Sequence, residues 1–549
     1  MVWCGGLPCS RVHTWMSREL SSAELRGSVN RHLLVLCTPL LLASCTRTPV
    51  VLSPLPVLTT PQGDIAAEEL RRDLDAFAAD SMRGRETGTE DANRAAKFLV
   101  DRVQRLGLEP AGDSLYVQRV PLQHDTFAPS TRIVVQEQSG VTTLRVGTDV
   151  IPLVNLGPGV PPSKHSAEGE IVFVGYGMAT TRPRRDDLAG LDLAGRIVVV
   201  VNGAPAGADS ATRSAMEAET AISDRLARIL PQRPSAVIVL MTGAGAAAYE
   251  QLVRQILRGV SLQTTIDDTP DNLRPIPMIL LGVPRAGSPL LPARWPEDDH
   301  AQVLTGRRFS AKVEPRREAF TAYNVVAIVR GSDPVLSHTF VALGAHYDHI
   351  GIVPPVNGDS ISNGADDDGS GTVSLLAIAR TLQQSPVKPR RSTLFVWHVG
   401  EEKGLLGSSY FVDHPTVPID SIVAQVNADM IGRNAASRLY TVGPRAAPNG
   451  HSRRLGVIVD SVNAAEPLPF TIDRSWDSAT HPEHIYERSD HYNYARKGIP
   501  IVFLTTGMHD DYHKPSDESS KIDYEKLARV ARLLRNVALA VGNSVTRPR

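Results

Sequence analysis

The chain has 549 residues, with 58 Lys and Arg against 59 Asp and Glu and a formal net charge of −1. That length can hold two domains with ample core, and the balanced charge excludes a generic nucleic-acid binder and a polybasic membrane patch. Its four cysteines, Cys4, Cys9, Cys37 and Cys45, all lie at or before position 45, which leaves the body without a disulfide, a thiol nucleophile or a thiolate metal ligand.

Residues 1–45 read as an export signal. Arginines precede an apolar stretch from Leu33 to Leu42 that is too short to span a bilayer, and small residues lead to a cysteine. Leu42-Ala43-Ser44-Cys45 resembles a bacterial lipobox. Cleavage there would leave Cys45 as a lipidated N-terminus on a protein facing the periplasm or the cell surface, with plain secretion as the alternative. The first fifteen residues are long for a leader's basic region, so Met16 is an alternative start to Met1. Residues 46–64, rich in Thr and Pro, read as a tether.

From Ile65 the spacing predicts a helix with Leu70, Leu74 and Phe77 on one face, broken between Ser81 and Gly88. A second helix is expected with Asp91 as its cap, an apolar stripe of Ala95, Ala96, Leu99, Val103 and Leu106, and Gly107 as its stop. The turn between them reads Arg83-Gly84-Arg85-Glu86-Thr87-Gly88-Thr89. Residues 65–140 are assigned to the main domain. Over 141–314 the texture changes to short strands with glycine ends, such as Ile171 to Val174, Ile197 to Val201 and Ala236 to Leu240. No acid–base constellation stands out there, and His165 and His300 read as surface histidines.

The main domain resumes over 315–545, and its chemistry is concentrated between Gly344 and Gly407. The apolar runs Thr339 to Leu343 and Ser392 to Trp397 read as buried strands, with a helix between them from Gly371 to Gln383. Past the first strand come His346-Tyr347-Asp348-His349 and Asn363-Gly364-Ala365-Asp366-Asp367-Asp368-Gly369-Ser370-Gly371. Past the second comes Gly400-Glu401-Glu402-Lys403-Gly404. Two more apolar runs lead to Asn427-Ala428-Asp429-Met430 and to Asp511-Tyr512-His513. Both acidic clusters of this βαβ unit fall at strand C-terminal ends, the edge at which open α/β sheets do their chemistry. A single acidic loop is equally well a solvated one. Five of them, each just past an expected strand, supply imidazole and carboxylate in the proportions that suit two hard-to-borderline metal ions. Helices are further expected over Leu455 to Val462 and Ile522 to Val541, with a polar loop carrying Trp476 between Pro467 and His484.

These motifs together resemble the M28 family of zinc aminopeptidases over about two thirds of the chain, and the turn at Arg83 to Thr89 resembles the one that opens M28 catalytic domains. Asp187 to Gly195 resembles the lead-in of a protease-associated (PA) domain. The resemblance implies an α/β fold with a mixed, mostly parallel central sheet flanked by helices, of the zinc-exopeptidase, phosphorylase/hydrolase-like kind, and a β-rich PA domain inserted over 141–314.

Carried over residue by residue, the resemblance implies two Zn2+, with Co2+ or Mn2+ able to occupy similar sites. His346 and Asp429 would hold one ion and Glu402 and His513 the other, with Asp367 as the bridge and a cis peptide after it. Glu401 would move the proton of the attacking water. Asp348 would fix the His346 tautomer through a hydrogen bond, and Arg488 and Tyr512 would contact substrate. The expected activity is removal of N-terminal residues from peptides, with peptides as the partners, no nucleic acid, and membrane contact through a lipidated Cys45 only. Carboxypeptidases, glutaminyl cyclases and a non-catalytic receptor domain of the same fold are the rival readings. Side-chain preference and oligomeric state are not legible.

Overall fold

The computed structural model describes residues 64–548 except 154–162, 182–183, 206, 218–220, 263–275 and 448–449, together with Trp3–Cys4 and Leu7–Pro8. The export signal's apolar stretch, Cys45 and the tether lie outside the described residues. Among the described residues no helix is long and apolar enough to cross a membrane.

Two sheets organise the chain. The larger has ten strands, nine of them in the order β2-β1-β3-β5-β4-β6-β9-β7-β8, with Glu109–Pro110 paired on β3. Here β1 is Val117–Phe127, β2 Gly259–Leu262, β3 Pro315–Val329, β4 Phe340–His346, β5 Ser392–His398, β6 Ile422–Ala428, β7 Arg438–Val442, β8 Thr471–Asp473 and β9 Ile501–Thr505. The four central strands β5, β4, β6 and β9 run parallel, while β1, β2 and β3 pair antiparallel at one side. Side chains alternate across the sheet, as strand geometry requires. Val341, Leu343, Phe395 and Trp397 face one core, whereas Phe340, Ala342, Leu394 and Val396 face the other. The first core is covered by helices α1 (Ala67–Phe77), α2 (Glu90–Arg105), α3 (Gly371–Gln384), α4 (Arg453–Ala465) and α5 (Tyr524–Asn543).

The helix stripes fall where the sequence predicts them, with Leu70, Leu74, Phe77, Ala95, Leu99 and Val103 buried. The cap of α2 differs: Thr89, and not Asp91, accepts the amide of Asp91 at 3.2 Å. An N-cap oxygen must face the amides two or three residues ahead, and Asp91, already in the first turn, pairs instead with Arg94 at 2.5 Å.

The second sheet has eight strands within Arg132–Lys312, with a core of its own around Ile171, Phe173, Val199 and Ile238. Its strand Arg132–Glu137 precedes residue 141. The segment also returns β2 to the larger sheet, where it pairs with β1. His165 is exposed and His300 lies 3.2 Å from Asp299 with its side chain 79% exposed.

Candidate metal centre

His346 is the last residue of β4, Glu401 and Glu402 follow β5, Asp429 follows β6, and His513 lies in the loop after β9. The parallel order of these strands therefore brings four segments that are remote in sequence to one edge. Asp367 enters from the turn that opens α3, and the Asp367–Asp368 peptide is cis.

The distances form one knot. His346 Nε2 lies 3.2 Å from Asp367 Oδ1, 3.7 Å from Asp429 Oδ2 and 4.0 Å from Glu401 Oε2. His513 Nε2 lies 3.1 Å from Asp367 Oδ2 and 3.2 Å from Glu402 Oε2. Asp367 thus touches both imidazoles, one with each oxygen. The aspartates on either side of it face away. Asp366 Oδ1 accepts the Gly432 amide, and Asp368 accepts the amides of His346, Gly371 and Met430. Asp517 holds the backbone of the turn, accepting the amides of Asp366 and Asp367.

The donor chemistry fits cations. Asp367, Glu401, Glu402 and Asp429 are all buried, at 7% exposure or less. Burial resists their ionisation, and repulsion adds to it: the Glu401 carboxyl stands well above the usual range, through burial and then the charges of Glu402 and Asp429. Asp367 is held well below it, because the imidazoles of His346 and His513 beside its oxygens outweigh its burial. Burial opposes the charge on His513, yet Glu402 and Asp367 push its pKa up to about 10. A dry pocket of this kind needs positive charge. Asp367 Oδ2 and His513 Nε2, although 3.1 Å apart, make no hydrogen bond to each other or to anything else. Two buried polar atoms that approach this closely without bonding are placed to share a third atom. A second grouping of donor atoms is also within reach, His346 with Asp368 and Asp429, and His349 with Asp367 and Glu402, each set within 4.8 Å. The three amides already on Asp368 make it the weaker candidate of the first set.

Asp348 meets the His346 imidazole through its main chain. The imidazole Nδ1 lies 3.1 Å from the backbone carbonyl of Asp348, and its carboxylate stays 3.8 Å off. The reason is that the carboxylate is occupied: it accepts the Thr87 hydroxyl at 2.8 Å and the Glu401 amide at 3.2 Å. Burial pushes its pKa up to about 6. Asp429 is steadied by Ser489, whose hydroxyl donates to Oδ2 at 2.7 Å.

Beside the knot opens a pocket lined by Met430, Trp476, Ile485, Phe503 and Met508, with Arg488 and Tyr512 at its polar side. Both residues expected to meet substrate therefore lie next to this cluster of carboxylates and imidazoles. Tyr512 stacks on His513 at 3.8 Å, and burial raises its phenol well above the usual range.

His349 and Arg85 are parts of the site that sequence reasoning left without a role. His349 lies wholly buried with Nδ1 2.7 Å from Glu402 Oε1. Its position three residues after His346 is the only signal the sequence offers. Arg85, also fully buried, donates to the carbonyls of Tyr347, Asn363 and Gly364, and nothing in its sequence neighbourhood points to those partners.

Comparison with known proteins locates a family in the same segment: residues 324–538 match the model described as peptidase family M28. The chain is 33% identical over 201 residues to a probable leucine aminopeptidase 2 of Aspergillus oryzae, covering 36% of either chain. It is 29% identical over 238 residues to leucine aminopeptidase 1 of Trichophyton rubrum, covering 41% of this chain and 60% of that one. It thus spans less than two thirds of the length of these relatives. An aminopeptidase from Aneurinibacillus sp. strain AM-1 has a similar fold, with a TM-score of 0.50 at 19% identity over 86% of this chain and 93% of that one.

Proposed function

We propose that this chain, which belongs to peptidase family M28 through residues 324–538, is a metal-dependent aminopeptidase that removes N-terminal residues from peptides. The observation that carries the reading is the buried knot of carboxylates and imidazoles with an apolar pocket opening beside it. Two zinc ions suit this thiolate-free donor set, with Co2+ or Mn2+ as chemical alternatives. His346 and Asp429 would hold one ion, Glu402 and His513 the other, and Asp367 both. Bound there, the pair would supply Lewis acidity to a water and to the scissile carbonyl.

The chain's own residues would do the rest. Glu401, in the knot but outside this ligand set, takes a proton from the attacking water and delivers it to the leaving amine. Glu401 and Asp429 receive the substrate's α-ammonium, which their burial in a carboxylate-rich pocket favours. Tyr512, its phenol kept protonated by burial, donates to the substrate carbonyl, and Arg488 lies where it can assist. Met430, Trp476, Ile485, Phe503 and Met508 take a large apolar side chain, a preference that the names of the leucine aminopeptidase relatives share. The body around the second sheet, within Arg132–Lys312, is the PA-like insert, and Cys45 anchors an exported protein by its lipid.

The test is hydrolysis of a panel of aminoacyl-nitroanilides by the purified protein, with a chelator control and metal analysis. Chelator-sensitive release with about two metal ions per chain, fastest for Leu and Phe, is the expected result. No release at full metal loading would move the reading to a carboxypeptidase. A chain that takes up no metal would overturn it.

A further inference from the structure

Resting on the zinc reading above, we propose that His349 is a positioning residue: it binds one oxygen of Glu402 and thereby leaves the other as that residue's single donor to the metal. Nδ1 of His349 lies 2.7 Å from Glu402 Oε1, and Nε2 lies 3.1 Å from Ser362 Oγ. One tautomer satisfies both contacts. A proton on Nδ1 is donated to the carboxylate, and Nε2 accepts the Ser362 hydroxyl. The opposite tautomer would set a nitrogen lone pair against a carboxylate oxygen at 2.7 Å, which is repulsive.

The other oxygen, Oε2, is the one that lies 3.2 Å from His513 Nε2. A carboxylate with both oxygens free can bind a metal through either or both. With Oε1 held from behind, Glu402 presents one atom in one direction.

The ring itself is fixed. His349 and Ser362 are both wholly buried. Gly364, at φ +57°, packs so closely on the imidazole that a Cβ there would meet Cγ at 2.5 Å and Cδ2 at 2.6 Å. Ser362 is held in turn, its amide donating to the Gly351 carbonyl at 3.0 Å.

The competing assignment makes His349 a ligand alongside Asp367 and Glu402. Geometry opposes it. Two atoms bound to one zinc at about 2 Å each stand roughly 3 Å or more apart, whereas Nδ1 and Oε1 are 2.7 Å apart, the separation of a charge-assisted hydrogen bond. His349 Nδ1 is also 3.8 Å from Asp367 Oδ2, against 3.1 Å for His513 Nε2.

Zinc affinity of the full chain, measured by competition with a chromophoric chelator after dialysis, tests the assignment without recourse to activity. In His349→Asn the side-chain NH2 falls near the place of Nδ1 and keeps the donor, while a strong ligand nitrogen is lost. In His349→Phe the donor is lost and the ring volume kept. Circular dichroism and the thermal midpoint of each metal-free variant report folding. The expected result is His349→Asn within about threefold of wild type and His349→Phe about 10- to 100-fold weaker at one of the two sites. Ser362→Ala, which removes a single hydroxyl and is checked for folding in the same way, should weaken the same site about threefold by freeing the tautomer. If Asn and Phe fall equally and one zinc equivalent disappears, His349 is a ligand and the proposal is overturned. It is overturned equally if His349→Phe, or Ser362→Ala where the Phe variant does not fold, binds zinc like wild type. A wild-type chain that binds no zinc overturns the aminopeptidase reading, and the positioning role falls with it.

Discussion

Thr87 donates its hydroxyl to Asp348 Oδ2 at 2.8 Å across 261 residues of sequence, so the turn between the first two helices steadies the loop that follows His346. Arg85, two residues earlier, does the same for the backbone. It binds the carbonyls of Tyr347, Asn363 and Gly364 at 2.8, 2.6 and 2.9 Å, and that of Phe77 at 3.3 Å. Burial lowers its pKa to about 10, with the charges of Asp348 and Asp517 opposing the fall, so it stays cationic at neutral pH.

Replacing Arg85 by Leu would leave the carbonyls of Tyr347, Asn363 and Phe77 without this donor, at about 1–3 kcal/mol for each one that finds no water, while the Gly364 carbonyl keeps the amide of Gly369 at 3.2 Å. A stability loss of roughly 3–5 kcal/mol is expected, read as a lower urea midpoint, with zinc affinity falling as well. Thr87→Val should cost only about 1 kcal/mol, because the Glu401 amide still bonds Asp348.

Glu401→Gln should lower kcat by about 10²–10⁴ while zinc content and thermal midpoint stay near wild type. Parallel loss of metal would show that Glu401 is a ligand. The substitution keeps the side chain's size and removes only its capacity to take a proton.

The pocket wall is built by stacking and by a tether. Trp476 lies on Tyr440 at 4.3 Å with planes 18° apart, and the next residue, Asp477, accepts the amides of Gly443, Arg445 and Ala446 at 2.8–2.9 Å. Trp476→Ala should therefore reduce kcat/KM for Leu-nitroanilide by about tenfold or more and narrow its advantage over Ala-nitroanilide. An unchanged ratio would place the substrate side chain elsewhere.

Acid should destabilise the fold through His491. It is fully buried, stacked on Phe503 at 4.7 Å, and its pKa is pushed down to about 3 by burial, from 6.5. Between those values the unfolded chain binds a proton that the folded chain refuses. The stability is fully present above pH 6.5 and is lost as pH falls towards 3, at up to about 1.4 kcal/mol per unit for this one group. Urea midpoints of wild type and His491→Phe at pH 7, 6 and 5 check this. The variant should show the shallower decline, and parallel curves would assign the acid sensitivity to other groups.

The sequence by itself determined the elements and most of the residues gathered at the strand ends. Continuous apolar runs such as Phe340–His346 and Ser392–His398, wholly buried on both faces, can be read as central strands because each face must be apolar. The stripes of the helices follow from the 3.6-residue repeat in the same way. His346, Asp367, Glu402, Asp429 and His513 stand out because chemistry-bearing residues at strand ends are carried by local patterns. What only the tertiary structure decided are contacts between side chains and distant partners that no local pattern encodes. That Asp367 faces the centre while Asp366 and Asp368 serve backbone amides depends on where Gly432 and Met430 arrive. That Asp348 answers to Thr87 and Glu401 depends on a turn 261 residues away. The return of Gly259–Leu262 to the larger sheet is of the same kind, since the partner of a four-residue edge strand lies far away in sequence. Periodicity fixes which face is buried, but the partner of a buried polar atom is chosen by packing.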